Sequence, residues 1–252
     1  MKKVSVIIPT YNRAEYIAGA IDSALAQSHT DTEIIVIDDA STDNTQDILR
    51  AYIAYPQIKL VKNETNLGIS KTRNKGVSLA SGEYIAMLDS DDAWTDKEKL
   101  AKQVSLLEAN PKIGLVGTGI TLVRADGKTI REVLFAHTDT EIREQILIKN
   151  QFAQSSVVFR KSLCEKIGGY DTSLLVAEDY DLWLKMGIYA QFANLSESTV
   201  AYRVHGGSAS AQKLRIARTT YMLIKKYASH YPHPLRARVF GLLRIFKGYF
   251  NL

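Results

Sequence analysis

The strongest constraint on the fold is a pattern repeated through the first third of the chain. Val4-Ser5-Val6-Ile7-Ile8, Glu33-Ile34-Ile35-Val36-Ile37, Ile58-Lys59-Leu60-Val61 and Tyr84-Ile85-Ala86-Met87-Leu88 are short, nearly continuous apolar runs. Between them, Ala14 to Ala26 places Ile17, Ile21 and Leu25 on one helical face. Ser41-Thr42-Asp43 offers capping side chains for a helix through Ile48 and Leu49, and Ile69 to Leu79 reads as a helix despite Gly76. Strands that are apolar on both faces must be covered on both faces, so the pattern predicts a parallel, doubly wound α/β sheet. Ligands of such sheets sit just beyond the carboxyl ends of the strands. The segments found there are Pro9-Thr10-Tyr11-Asn12-Arg13, Asp38-Asp39-Ala40-Ser41-Thr42-Asp43 and Asp89-Ser90-Asp91-Asp92.

The chemistry of those ends is that of a hard cation and a phosphorylated ligand. Asp89 and Asp91, two apart, can aim oxygens at one Mg²⁺ or Mn²⁺, which keeps waters and bridges substrate phosphates. An acidic turn capping the next helix is the simpler reading of the same residues. Of the adjacent pair Asp38-Asp39, one can serve only the turn. Cys164 is the single cysteine, which excludes an intrachain disulfide and a cysteine-rich metal centre and suits a small buried side chain. Pro9 stops the apolar run behind Lys2-Lys3 too early for a signal peptide, and no stretch is long enough to span a bilayer, so a cytoplasmic location is expected.

The second half is mixed. After a helix from Lys97 to Leu107, a strand is expected at Ile113 to Val116. Ile120 to Val123 and Thr129 to Leu134 then flank the hairpin signal Ala125-Asp126-Gly127-Lys128. A polar helix from about Asp139 to Lys149, a strand from Ser156 to Phe159, a Gly168-Gly169-Tyr170 turn and a helix from Glu178 to Met186 follow. In that last helix Leu182, Trp183 and Met186 form one packed face. Gly117-Thr118-Gly119 does not open a dinucleotide fingerprint, because Leu122 stands where the third glycine belongs and a strand follows. It reads as a turn. Neither a P-loop nor a His-Glu-x-x-His helix occurs.

With Glu178-Asp179-Tyr180-Asp181-Leu182-Trp183 added to the three strand-end motifs, the chain resembles the family 2 glycosyltransferases, inverting enzymes of the GT-A fold. The likeness runs from Val4 to about Ser210 and includes Asn66-Leu67-Gly68, Arg73-Asn74 and Tyr202-Arg203-Val204-His205-Gly206-Gly207-Ser208. It implies a Rossmann-like nucleotide-sugar half, 1–110, an acceptor half, 111–212, and a basic helical extension, 213–252. Pro9 and Tyr11 would line the nucleoside pocket, and Asp39 would accept the imide N–H of uracil. Arg73 would face base and phosphates, Asp89 would bond the ribose or share the metal, and Asp91 and His205 would hold a divalent cation, Mn²⁺ or Mg²⁺. Glu178 would touch the acceptor and Asp179 would be the catalytic base, its place near a helix start favouring the charged form. The implied reaction moves one sugar from a nucleotide diphosphate donor, a UDP-sugar, to a hydroxyl of a saccharide or lipid-linked saccharide, as in the synthesis of cell-surface polysaccharide or glycolipid. Processive members carry Gln-x-x-Arg-Trp. Here the tryptophans, Trp94 and Trp183, follow Ala93 and Leu182, so one sugar per encounter is expected.

Two other readings use the same half. A sugar-phosphate nucleotidyltransferase would place a glycine-rich basic loop where Pro9-Thr10-Tyr11-Asn12 stands. A non-catalytic nucleotide-sugar-binding module would have no need of Asp91 and Asp179.

The net charge of +5 is unevenly spread. Residues 213–252 hold nine Lys and Arg and no acid, whereas residues 1–212 carry 23 basic and 27 acidic side chains. Arg215, Arg218, Lys225, Lys226, Arg236, Arg238, Arg244 and Lys247 alternate with Tyr221, Leu223, Tyr227, Leu242, Ile245, Phe246 and Phe250. Such a segment either docks on an anionic membrane, peripherally on the inner face of the cell membrane, or packs as a helical cap with a solvated basic face. Nothing else resembles a nucleic-acid module, and no nucleic-acid partner is expected.

Overall fold

The computed structural model describes residues 2–204 and 213–249. Its first part alternates β1 (Val4–Thr10), α1 (Ile17–Leu25), β2 (Thr32–Asp38), α2 (Thr45–Arg50), β3 (Ile58–Lys62), α3 (Ile69–Leu79) and β4 (Tyr84–Met87). β5 (Ala93–Trp94), α4 (Lys99–Ala109), β6 (Ile113–Arg124), β7 (Thr129–Val133) and α5 (Asp139–Ile146) follow. Then come β8 (Val158–Arg160), α6 (Lys161–Lys166), α7 (Glu178–Tyr189), β9 (Gln191–Val204), α8 (Lys213–Tyr227) and α9 (Pro234–Tyr249). The strands form one sheet in the order β3-β2-β1-β4-β8-β6-β9-β5, with β7 paired to β6.

β3, β2, β1 and β4 are parallel. Every residue of β1 is buried: Ile7 packs with Ile35, Ile37, Ile85 and Met87 on one face, and Val4, Val6 and Ile8 with Ile34, Val36 and Tyr84 on the other. This is why the runs are apolar without alternation. The register fixes the functional edge. Thr10 lies opposite Asp38 and Ile7 opposite Met87, so Tyr11, Asp39 and Asp89 emerge side by side where the chain crosses from β3 back to β4 beyond β1. Gly76 inside α3 is required by proximity, since a Cβ there would stand 2.5 Å from the Ile7 side chain.

The second half departs from expectation in three places. The expected strands at 113–116 and 120–123 are one strand, β6, and Gly117-Thr118-Gly119 is not a turn but its middle. There β6 runs beside β9, and a Cβ on Gly117 would collide with Asn194 and Phe152. The glycines mark close approach rather than reversal. β9 itself is absent from the sequence pattern, because Asn194, Ser196, Glu197 and Ser198 interrupt its apolar residues. Gln154–Ser156 is a 3₁₀ turn and the strand begins only at Val158.

In the 213–252 segment, α8 and α9 differ. Leu223, Ile224 and Tyr227 of α8 join the core beside α7. The buried Asp181 accepts hydrogen bonds from Lys226 Nζ at 2.9 Å and the Tyr227 hydroxyl at 2.8 Å, and the Tyr231 hydroxyl donates to the Leu184 carbonyl. Leu223 and Tyr227 thus face inward rather than toward a membrane. On α9, Leu235, Val239, Leu242 and Phe246 form a stripe, each more than half exposed. No helix among the described residues is long and apolar enough to cross a membrane.

Candidate active site: two cavities that share a wall

A cavity of about 430 Å³ opens at the carboxyl ends of β1, β2 and β4, lined among others by Pro9, Tyr11, Asp39, Arg73, Asp89 and Asp91. Its rim is tied together by polar side chains. The Asn12 and Arg13 amides donate to the Ser41 and Thr45 hydroxyls, and Asn12 Oδ1 accepts the Thr42 amide at 2.8 Å. Asn12 and Ala40 both take left-handed backbone angles, at φ 51° and 64°. Such strain persists only where the surroundings enforce it, and here it turns the chain beside Tyr11 and Asp39.

The two adjacent acids divide the work. Asp38 accepts the Ser41 amide at 3.0 Å and the Gln46 side chain, and so serves the turn. Asp39, only 4% exposed, accepts from Asn63 Nδ2 at 2.7 Å and from the Leu67 and Gly68 amides at 2.9 Å each. It therefore holds the Asn66-Leu67-Gly68 loop against the cavity, and one lone pair of Oδ2 remains for a ligand donor.

Arg73 is not at the cavity's open face. It is 4% exposed and reaches both ways, with Nη2 2.7 Å from Asp89 Oδ1 and Nη1 2.5 Å from Glu178 Oε1. Burial lowers its pKa, but the two carboxylates outweigh burial and hold it above the ordinary arginine value. Asp89 is pushed up by burial against the pull of Arg73. Asp91 faces the cavity with Arg13 Nε 3.5 Å from its Oδ2. Asp92, buried, is raised well above the usual carboxylate range by burial and by Asp89 and Asp91. It accepts the Ser155 hydroxyl at 2.5 Å and the Arg203 amide at 2.8 Å. Ser155 Oγ in turn accepts the Asp89 amide at 3.0 Å, so Asp92 fixes the acidic loop from beneath. Arg203 also donates to the Asp91 and Ala125 carbonyls, joining that loop to the β6–β7 hairpin. Nothing in the sequence pattern assigns Asp92, Ser155 or Arg203 a role of its own. Arg203 lies inside the Tyr202 to Ser208 motif, and that is the only signal the sequence offers for it.

The second cavity, about 710 Å³, shares Arg73, Asp89, Glu178 and Tyr202 with the first and has Asp179 in its lining. Ala177, at φ 60°, swings the chain so that α7 starts at the junction. Glu178 faces both cavities, whereas Asp179 lines only the larger one. Burial first, and then the Glu178 charge, raises the Asp179 pKa to about 7. The helix start therefore does not keep Asp179 in the ordinary carboxylate range: lost solvation and a like charge prevail. Trp183 is fully buried among Phe152 and Phe159 and lines neither cavity.

The oxygen set suits a hard cation. Asp89 and Asp91 both line the smaller cavity, and two carboxylates completed by water and phosphate oxygens are an ordinary Mg²⁺ arrangement. No cluster of three or more metal-ligating side chains occurs among the described residues, and His205 lies outside them.

Comparison with known proteins shows the family and the fold. The family model described as glycosyl transferase family 2 matches residues 5–168. A Bacillus subtilis protein, TuaG, named for teichuronic acid biosynthesis as a glycosyltransferase, is 33% identical over 88% of this chain and 87% of its own. WfaP of Escherichia coli, named a UDP-Glc:α-D-GlcNAc-diphosphoundecaprenol β-1,3-glucosyltransferase, is 31% identical over 85% of this chain and 82% of its own. Among solved structures, Staphylococcus aureus TarS residues 1–349 in complex with UDP superimposes with a TM-score of 0.71 at 24% identity, covering 99% of this chain and 72% of that one. The mannosyltransferase PcManGT from Pyrobaculum calidifontis, in complex with GDP-Man and Mn²⁺, gives 0.74 at 22%, covering 99% and 73%. These likenesses carry the GT-A fold.

Proposed function

The chain belongs to glycosyl transferase family 2 and is a glycosyltransferase using a nucleotide-sugar donor, and from that premise we propose an inverting, metal-dependent transfer of one sugar from a UDP-sugar to a saccharide hydroxyl. The observation that carries the proposal is the wall formed by Arg73 between Asp89 and Glu178. Asp39 and Asp91 lie on one side of it, Asp179 lies on the other, and Asp89 borders both. That is the arrangement an in-line displacement needs, with the nucleophile arriving opposite the leaving group.

In this reading the smaller cavity takes the donor. The Tyr11 ring, 42% exposed beside Pro9, stacks on the base, and the remaining Asp39 lone pair accepts the uracil imide N–H. Asp91, with Asp89 and His205, would hold a Mn²⁺ or Mg²⁺ ion, which would supply positive charge against the departing diphosphate. Arg73 is a positioning residue that holds Asp89 and Glu178 at the junction. The acceptor enters the larger cavity, where Glu178 touches it and Asp179 takes the proton of the attacking hydroxyl. The new bond forms to the anomeric carbon as its bond to the diphosphate oxygen breaks. The electron pair leaves with UDP, and the proton stays on Asp179. A base with a pKa near 7 suits that transfer. The division into a donor half (1–110), an acceptor half (111–212) and a basic tail (213–252) follows the same reading. The tail's role is membrane docking: the exposed α9 stripe among Arg236, Arg238, Arg244 and Lys247 supports it.

The test is acceptor-dependent release of UDP from a panel of UDP-sugars with Mn²⁺. Release that rises with added saccharide acceptor is the expected result. UDP-sugar binding with no acceptor-dependent release would leave a binding module instead.

A further inference from the structure

The transferred sugar is the part of the donor that must meet both cavities, since its anomeric carbon lies between the departing diphosphate and the attacking hydroxyl. The side chains placed to touch it are those that line both cavities: Arg73, Asp89, Glu178 and Tyr202. Three of these four are bound to one another. Arg73 directs Nη2 to Asp89 and Nη1 to Glu178, and an ionised carboxylate accepts hydrogen bonds but donates none.

Tyr202 is built differently. It lies near the end of β9, opposite Leu122 of β6, and the preceding residue, Ala201, pairs with Ala93 of β5. The following residue is fixed as well: the Arg203 amide donates to Asp92 Oδ1 at 2.8 Å, and Arg203 Nε donates to the Asp91 carbonyl at 3.0 Å. The body of Tyr202 packs against the apolar cluster that includes Trp94, Ile120 and Val200. The ring is therefore held in register with the acidic loop. Its hydroxyl nevertheless makes no hydrogen bond to any described residue, and it is not shut inside the core, so it opens on the cavity space. A partly buried tyrosine ordinarily finds a partner for its hydroxyl. Burial, and after it the charges of Asp92, Asp89, Asp179 and Asp91, hold its pKa above the usual tyrosine value, so the group keeps its proton and can donate it to a hydrogen bond.

We propose that Tyr202 is a substrate-contacting residue whose hydroxyl donates a hydrogen bond to an oxygen of the sugar being transferred. This rests on the smaller cavity taking a UDP-sugar and on Asp179 marking the acceptor side. The division of labour at the junction follows from donor and acceptor chemistry. Sugar hydroxyls give their protons to Asp89 and Glu178. A sugar oxygen that must accept, whether a hydroxyl lone pair, the ring oxygen or an acetamido carbonyl, finds in Tyr202 a donor that no protein group occupies. Tyr202 thus separates a nucleotide sugar from the bare nucleotide, which does not reach the junction.

The experiment is calorimetry with Mn²⁺ on the full chain and on Tyr202→Phe, which removes the hydroxyl and keeps the packed ring. The probes are UDP, UDP-glucose and UDP-N-acetylglucosamine. Affinity for UDP should match wild type, while the UDP-sugar that wild type binds more tightly should weaken roughly 3- to 10-fold, the usual worth of one hydrogen bond. The thermal unfolding midpoint should not fall, because the hydroxyl has no protein partner to lose. Unchanged affinity for both UDP-sugars would overturn the proposal. An equal loss for UDP would place the hydroxyl on the nucleotide and refute the sugar contact, and a lowered midpoint with all three ligands weakened would make Tyr202 structural. Failure of the wild type to bind UDP at all would instead sink the donor reading, and this inference with it.

Discussion

The two cavities that meet at Arg73 are built in opposite ways. The smaller takes its acids from the ends of parallel strands, each within a few residues of a buried apolar run, and its rim is fixed by side-chain to backbone bonds between the loops that leave neighbouring strands. The larger draws on β6, β7, the start of α7 and two C-terminal helices, segments spread from Ile120 to Gly248. One is acidic and built at the ends of adjacent strands; the other is basic and drawn from segments far apart in the chain. The difference teaches which changes should spread. A substitution at Asp39 or Asp91 alters one cavity, while a change in the shared wall of Arg73, Asp89 and Glu178 alters both.

The wall is the place to break that comparison first. Arg73→Met leaves Asp89 and Glu178 without their cation. Removing one partner of a buried pair costs about 3–5 kcal/mol, the lower end applying because Asp89 keeps a quarter of its side chain exposed. Urea unfolding should show that loss, and both UDP binding and transfer should fall. Arg73→Lys should recover little, because an ammonium cannot span both carboxylates as the fork does. At a strand end the effect should stay local. Asp91→Ala is expected to remove most of the gain in UDP affinity that Mn²⁺ gives over chelator, roughly tenfold or more by calorimetry, with the unfolding midpoint unchanged.

A pH series sharpens the contrast on the acceptor side. With the Asp179 pKa at about 7, protonation below that pH removes the base, so transfer at saturating substrate should fall about tenfold per unit on the acid side and level off above pH 8. Metal-dependent UDP binding should not follow that curve. The smallest effect is expected at Lys99, fully buried and in neither cavity, where burial holds its pKa well below the lysine value and Nζ donates to Gln103 Oε1 at 2.7 Å. A depressed folded-state pKa means that the unfolded chain binds the extra proton, so stability rises with pH up to the ordinary lysine range. Lys99→Met should flatten that rise and add about 1 kcal/mol at pH 7, read by thermal unfolding, with transfer unchanged.

The same contrast governs what can be read from residues alone. Strand ends are legible because an apolar run, its length and the acids behind it are all local. Asp39, Asp89, Asp91 and Tyr11 are legible in that way and do meet. What needs partners far away is not legible. Nothing within the run of α3 says that Arg73 is buried, since its second partner, Glu178, lies 105 residues on. Asp38 and Asp39 look alike in sequence and separate only through the contacts each makes. Gly117 and Gly119 read as a turn because the neighbour that crowds their Cβ positions is β9, whose polar interruptions hide it as a strand. The basic tail reads as one amphipathic unit, yet Asp181 draws the apolar face of α8 inward and leaves that of α9 outward.

The central claim is that donor and acceptor sides are separate, with Asp179 the base on the acceptor side. Asp179→Asn tests it most directly, since the amide preserves shape and cannot accept a proton. Transfer should fall by roughly 10²–10⁴-fold while Mn²⁺-dependent UDP binding and the unfolding midpoint stay at wild-type values. Transfer by the Asn variant at near wild-type rate would contradict the account and place the base elsewhere.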